Sequence, residues 1–238
     1  PTCDGGEWAI SAATNSGSEA SVTYTTLIGD SESNAWYAFV CDKVTSVALC
    51  SASSQGSGST GSPFKVNHVP TFTSIADAPD PQTAGSNVTF TTVSSDSDTD
   101  TSADTVKLYV CKSNDATSAG CGAGGTWCSA TATASNPTCS YAALVANRGS
   151  NNYYSFIYDS HNIASASNPR SSTFTVSNSI PAITVTPSDA GSDGTTPTNV
   201  GANVTFSVTD TDADYDQYYL SICKTNSVTA GNNAAHTC

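Results

Sequence analysis

Residues 223–238 read CKTNSVTAGNNAAHTC, and residues 111–127 read CKSNDATSAGCGAGGTW. The two stretches are one phrase written twice. Cys111 matches Cys223 and Cys121 matches Cys238, but only the earlier copy runs on through Gly124, Gly125 and Trp127. The missing continuation stands at the other end of the chain, in PTCDGGEW, where Cys3, Gly5, Gly6 and Trp8 would complete it. Self-similarity of this kind governs the reading of everything else. GSNVTFTTVSSDSDTD (85–100) matches GANVTFSVTDTDADYD (201–216), and TVKLYVCKSN (105–114) matches QYYLSICKTN (217–226). AWYAFVCD (35–42) matches NYYSFIYD (152–159), and VNHVP ending at Pro70 matches SNSIP ending at Pro181. The expected organisation is therefore one complete domain at 69–179, the first half of a second at 180–238, and the second half of such a domain at 1–68. The final H-T-C overlaps the opening P-T-C, as tiling of a two-domain period would require.

Each unit alternates apolar and polar residues with period two, between clusters of Gly, Pro, Asn, Asp and Ser, and no helical stripe stands out. Val88 and Phe90 share one strand face, Val106, Leu108 and Val110 another, and Tyr154, Phe156 and Tyr158 a third, while SSTFTV closes the unit. About seven strands in roughly 110 residues predict an all-β fold of tandem immunoglobulin-like β-sandwich domains, forming an elongated array or filament. Trp8 and Trp127 follow matching Gly-Gly turns. Packing is the expected role of such a ring, and ligand stacking the alternative.

Composition narrows the function classes. The formal charge is −13, with seven Lys and Arg, so no basic run exists to neutralise phosphates and nucleic acid is not an expected partner. No stretch approaches the roughly 20 apolar residues of a membrane-spanning helix, so direct membrane insertion is not expected. Nothing at the start resembles a signal peptide, and a chain that opens on Pro and lacks Met reads as a mature or excised segment. Nine cysteines without a CxxC pair, in a chain with three His, read as disulfides in an oxidising, extracellular setting.

VKLYVCKSN, CGAGGTWC, SNPTCSY and DGGEWAIS, with SPFKVN at a unit's end, resemble the Ig-like tandem repeats of very long bacterial cell-surface proteins, as found in ultrasmall candidate-phylum bacteria. The resemblance covers essentially the whole chain. It implies architecture and location, and it brings no catalytic motif.

Divergence between the copies selects the cysteine pairs. Cys128 and Cys139 occur only in the complete unit, where the other has Ala9 and Ser21, whereas Cys41 and Cys50 occur only in the split unit. Cysteines gained or lost together are expected partners, which predicts Cys111 with Cys121, Cys128 with Cys139, Cys41 with Cys50, and Cys223 with Cys238. Cys3 is then the tiled counterpart of Cys238, or else a free thiol open to an intermolecular bond.

Both copies place alternating carboxylates after the second strand: Asp96, Asp98, Asp100 and Asp104 in one, Asp210, Asp212, Asp214 and Asp216 in the other. A hard cation such as calcium takes six to eight oxygens, which a D-x-D-x-D loop can turn toward one point. In an Ig-like sandwich that loop shares a pole with the end of the sixth strand, where Asp159 and Asp42 fall. The linker from the preceding domain arrives there too, bringing Asn67 and His68, or Asn178. Calcium at that pole would bridge two domains, a logic similar to that of cadherin arrays, whose linker motif is not reproduced here. A solvated acidic turn is the other reading.

Asn87 and Asn203 head matching strands as N-x-S/T sequons and are glycosylation candidates, although β-propensity explains NVTF equally well. SASSQGSGSTGS (51–62) reads as a flexible loop in preference to an O-glycosylated one. Ser160 and His161 beside Asp159 invite a catalytic reading, but neighbours on one turn rarely place nucleophile, base and orienting group in mutual reach. No enzyme activity is expected. The leading expectation is a structural repeat unit of an extracellular filament, pilus-like fibre or surface stalk whose partners are copies of itself. The alternative is an adhesin that binds a surface glycan or protein through Tyr218, Tyr219 or Trp36.

Overall fold

The computed structural model describes residues 6–52, 55–56, 62–99, 104–231 and 234–238. Cys3 and Asp100 lie outside them. In the head, four two-residue strands pair locally: β1 (Ser33–Asn34) with β4 (Phe64–Lys65), and β2 (Tyr37–Ala38) with β3 (Gln55–Gly56). The centre holds β5 (Thr71–Ala78), β6 (Gln82–Thr83), β7 (Asn87–Ser95), β8 (Val106–Cys111), β9 (Ala116–Thr117), β10 (Gly120–Cys121), β11 (Thr126–Ser129), β12 (Thr138–Ala142), β13 (Gly149–Asp159) and β14 (Arg170–Ser177). Seven of these ten are four residues or longer, matching the number expected from the sequence. The tail has one hairpin, of β15 (Ala182–Ser188) with β16 (Ser207–Thr211). The described residues contain no α-helix, so none is long and apolar enough to cross a membrane.

The central strands form two sheets, β11-β8-β13-β14-β6 and β12-β7-β5, antiparallel throughout except where β6 meets β14. Alternation decides which side chains meet between them. Val88 and Phe90 of β7, Val106, Leu108 and Val110 of β8, and Tyr153 and Ile157 of β13 join Phe72, Trp127 and Phe174 in one buried cluster. Each large side chain removed from water there contributes about 1.5–3 kcal/mol. The Cys128–Cys139 disulfide links β11 to β12, and so clasps one sheet to the other. The outer face of β8 and β13 is covered as well: Cys111, Phe156 and Tyr158 form a second cluster under the β9–β10 hairpin, which the Cys111–Cys121 disulfide holds down. All four disulfides join the pairs selected by comparing the copies, with Cys41–Cys50 in the head and Cys223–Cys238 in the tail.

The flanks are different. All but five of the large hydrophobic side chains left exposed among the described residues belong to 6–68 or 180–238, the five being Val69, Val93, Leu144, Val145 and Ile163. The matched stretch 35–42 pairs only at Tyr37–Ala38 and through an isolated bridge between Cys41 and Cys50, and 217–226 forms no strand. A strand is a half-buried structure that needs a neighbour and a core to form. The composition of the flanks suits strands, yet few of their described residues pair.

Candidate functional site

The acidic loop after β7 closes one pole of the central body. Asp96 accepts the backbone N–H of Asp98 at 3.0 Å, a turn that points the Asp98 carboxylate at the incoming linker. There Asp98 accepts from the His68 backbone N–H and lies 2.8 Å from His68 Nδ1. His68 Nε2 is 3.0 Å from the Asp30 carbonyl, so both ring nitrogens face acceptors, the arrangement of an imidazolium. Accordingly the His68 pKa is raised, chiefly by its bond to Asp98. Beside it, Asn67 donates to Asp159 Oδ2 at 2.8 Å, and Thr99 donates to Glu32 at 3.1 Å. The linker, the acidic loop and the end of β13 therefore meet at one pole, as the sequence predicted for Asn67, His68 and Asp159.

Within the loop, ligand-type oxygens of Asp96, Asp98 and Asp104 lie within 4.8 Å of one another. Asp104 is buried and engaged at both oxygens, accepting from Ser160 Oγ and facing His161 Nδ1, each at 3.0 Å. Ser160 and His161 thus bond separate oxygens of one carboxylate, and neither bonds the other. Asp96 differs: its Oδ2 is buried without a hydrogen-bond partner. Burial raises the Asp96 pKa, and the nearby Asp98, Asp104 and Asp159 raise it further.

The same device recurs at the opposite pole. Asp212 accepts the backbone N–H of Asp214 at 2.7 Å, and Asp214 accepts the Ser179 N–H at 2.6 Å and its hydroxyl at 3.1 Å. Ser179 and His68 each stand two residues before the matched prolines, Pro181 and Pro70. One aspartate in each copy of the loop therefore clamps the chain at the same point of the linker. Here the counter-charge is Arg148, just before β13, at 3.1 Å from Asp214 and 2.7 Å from Asp216. The Ser179 N–H is the main cause of the lowered Asp214 pKa. Asp210 has one buried oxygen without a partner.

Other predicted positions do not join these poles. Asp42 accepts the Leu49 N–H at 2.7 Å inside the hairpin closed by Cys41 and Cys50, and belongs to neither cluster. Asn178 donates only to the adjacent Ser179 carbonyl. Asn87 and Asn203 are both exposed. Trp127 is buried, and its indole N–H donates to the Asn152 carbonyl at 3.0 Å, which is the packing role. Sequence reasoning missed Arg148, one of only two arginines in the chain, the use of Asp30 by the first linker and the use of Glu32 by the acidic loop. The scarcity of arginine was the available signal. No family model and no curated protein matches this chain.

Proposed function

We propose that this chain is a structural repeat unit of an extracellular filament or surface stalk, built from disulfide-stapled Ig-like domains that join in tandem or by strand complementation. The observation that carries this reading is the contrast between one domain with a closed core and two flanks that repeat its sequence yet leave their apolar residues exposed. Exposed apolar surface on this scale marks an interface. The repeated aspartate clamps support it too, since they fix the linker to the domain at both poles and would limit bending between successive domains. Four disulfides in a small β protein fit an oxidising compartment.

Calcium is the cofactor this reading adds. The partnerless oxygen of Asp96, whose pKa is raised first by burial and then by the neighbouring carboxylates, fits a cation held by Asp96, Asp98 and Asp104. Bound there, calcium would neutralise the loop beside the first linker. Electron micrographs of the purified, oxidised chain are expected to show unbranched fibres, and uniformly isolated particles at high concentration would refute the reading. A covalent array from the native source would run far above 24.2 kDa on a reducing denaturing gel. An unchanged melting temperature on chelation would remove calcium alone.

A further inference from the structure

We propose that residues 180–238 of a second copy of this chain dock onto residues 6–68, with 218–223 of the donor running antiparallel beside 37–42 of the acceptor. This inference rests on the filament reading and specifies its interface. The template is the central body, where β8 and β13 pair from Val106 opposite Asp159 to Cys111 opposite Tyr154. Carried through the sequence repeat, that register sets Tyr218 opposite Asp42, Leu220 opposite Val40, and Cys223 opposite Tyr37. In the central body both positions of the middle pair, Leu108 and Ile157, are 0% exposed, whereas their counterparts Leu220 and Val40 are 43% and 79% exposed.

The acceptor already holds the shape of its half. In the central body Trp127 meets Tyr141 at 4.8 Å and 71°, and Phe174 at 5.0 Å and 83°. In the head, Trp8 meets Tyr24 at 4.9 Å and 72°, and Phe64 at 5.1 Å and 81°. The Trp8 indole N–H even donates to the Ala35 carbonyl, the counterpart of the Trp127 bond to Asn152. What the head lacks is a cover. Over the Trp127 cluster lies Phe90, which packs edge-on against Phe174 at 5.8 Å and is 0% exposed. Its counterpart is Phe206, in the tail, at 44% exposed, while Trp8 is 40% exposed against 9% for Trp127.

Within one copy the two flanks leave the central body at opposite poles, which favours a donor from another copy. The head is fastened at Asp98 and Asp159, and the tail at Arg148, at the two ends of the eleven-residue strand β13. At ~3.3 Å per residue those ends are roughly 30 Å apart, and no sheet among the described residues contains strands from both flanks. Acceptor and donor are different surfaces, so the contact is head-to-tail and each copy offers both a donor and an acceptor to its neighbours.

The test mixes two single variants of the full chain, Val40→Cys and Leu220→Cys, in a redox buffer that preserves the native disulfides. A covalent dimer that disappears on reduction is expected from this pair. It should not form when Ser221→Cys replaces Leu220→Cys, because the neighbouring residue points to the other face of the strand. Val40, Leu220 and Phe206 are exposed and Ser221 is half-buried in the single chain, so none of these changes opens a closed core. Adding Phe206→Asp to the donor should abolish the dimer. Equal crosslinking by Leu220→Cys and Ser221→Cys would overturn the proposed register. Fibres in micrographs without any crosslink would overturn the interface while sparing the filament, and the absence of both fibres and crosslinks would overturn both.

Discussion

Truncating Phe90 and Phe206 separately should give opposite results, although the sequence repeat makes them equivalent. Phe90 is completely buried, edge-on to Tyr153 at 5.0 Å and to Phe174 at 5.8 Å. Phe90→Ala removes a ring from a closed core, and the loss of transfer energy plus the cavity left behind costs about 3–5 kcal/mol. For a domain of this size each kcal/mol lowers the melting midpoint by roughly 4 °C or more, so a fall on the order of 15 °C is expected. Phe206 is 44% exposed and closes no core in the single chain. Phe206→Ala should therefore stay within about 0.5 kcal/mol. Urea unfolding of the dilute chain, followed by circular dichroism, measures both. A Phe90→Ala cost below about 1 kcal/mol, or a Phe206→Ala cost matching it, would refute the claim that the closed core is confined to the central domain.

The disulfides should divide in the same way. Replacing Cys128 and Cys139 together by Ala reopens an 11-residue separation and should destabilise the central domain by roughly 3 kcal/mol, whereas replacing Cys41 and Cys50 should leave its urea midpoint unchanged. The Asp214 pKa is lowered in the folded chain, so its clamp contributes fully above the ordinary carboxylate range and is lost as pH falls through the depressed value. Hydrogen exchange at the Ser179 amide should show protection near pH 5 that disappears toward pH 2, and Asp214→Asn should flatten that profile; protection indifferent to pH would count against the clamp. Gly125 has φ +91 in the turn that leads into Trp127, so Gly125→Ala should cost about 1 kcal/mol in the same urea assay.

Much of this was legible in the sequence because the repeat supplies two versions of one solution. A single copy with four cysteines would have left three pairings open; the joint absence of Cys128 and Cys139 from the other copy identified the clasp between the sheets. Period-two alternation revealed β7, β8 and β13 because each has a buried face. The meeting of Asn67, His68 and Asp159 followed from topology alone. Hydrogen-bond choices within the loops did not, since they depend on turn conformations that leave no periodic trace. Nothing in DSDTD distinguishes Asp98, turned to the linker, from Asp96, left with a partnerless oxygen. The flanks show the same gap between composition and pairing. AWYAFVCD has the composition of a strand, but only Tyr37–Ala38 and the isolated Cys41–Cys50 bridge pair, because composition sets what a segment can pair with and a neighbour decides whether it does.

The two clamps also explain why a chain carrying −13 can hold carboxylates at its junctions. Exposed ion pairs contribute little, typically under about 1 kcal/mol, and salt screens them. Asp98 and Asp214 are instead buried and bound to backbone N–H groups two residues before each proline, and hydrogen bonds to a charged acceptor are stronger than neutral ones. Only the counter-charge varies: a histidine that titrates beside Asp98, and a permanently charged arginine beside Asp214. A rise in pH should therefore affect the two poles differently. Below the ordinary histidine range His68 is charged and its bond to Asp98 contributes fully; that contribution is lost as pH rises through the raised His68 pKa, whereas Arg148 keeps its charge beside Asp214. The linker geometry is set by the buried carboxylate common to both poles, and sensitivity to conditions by the residue that faces it.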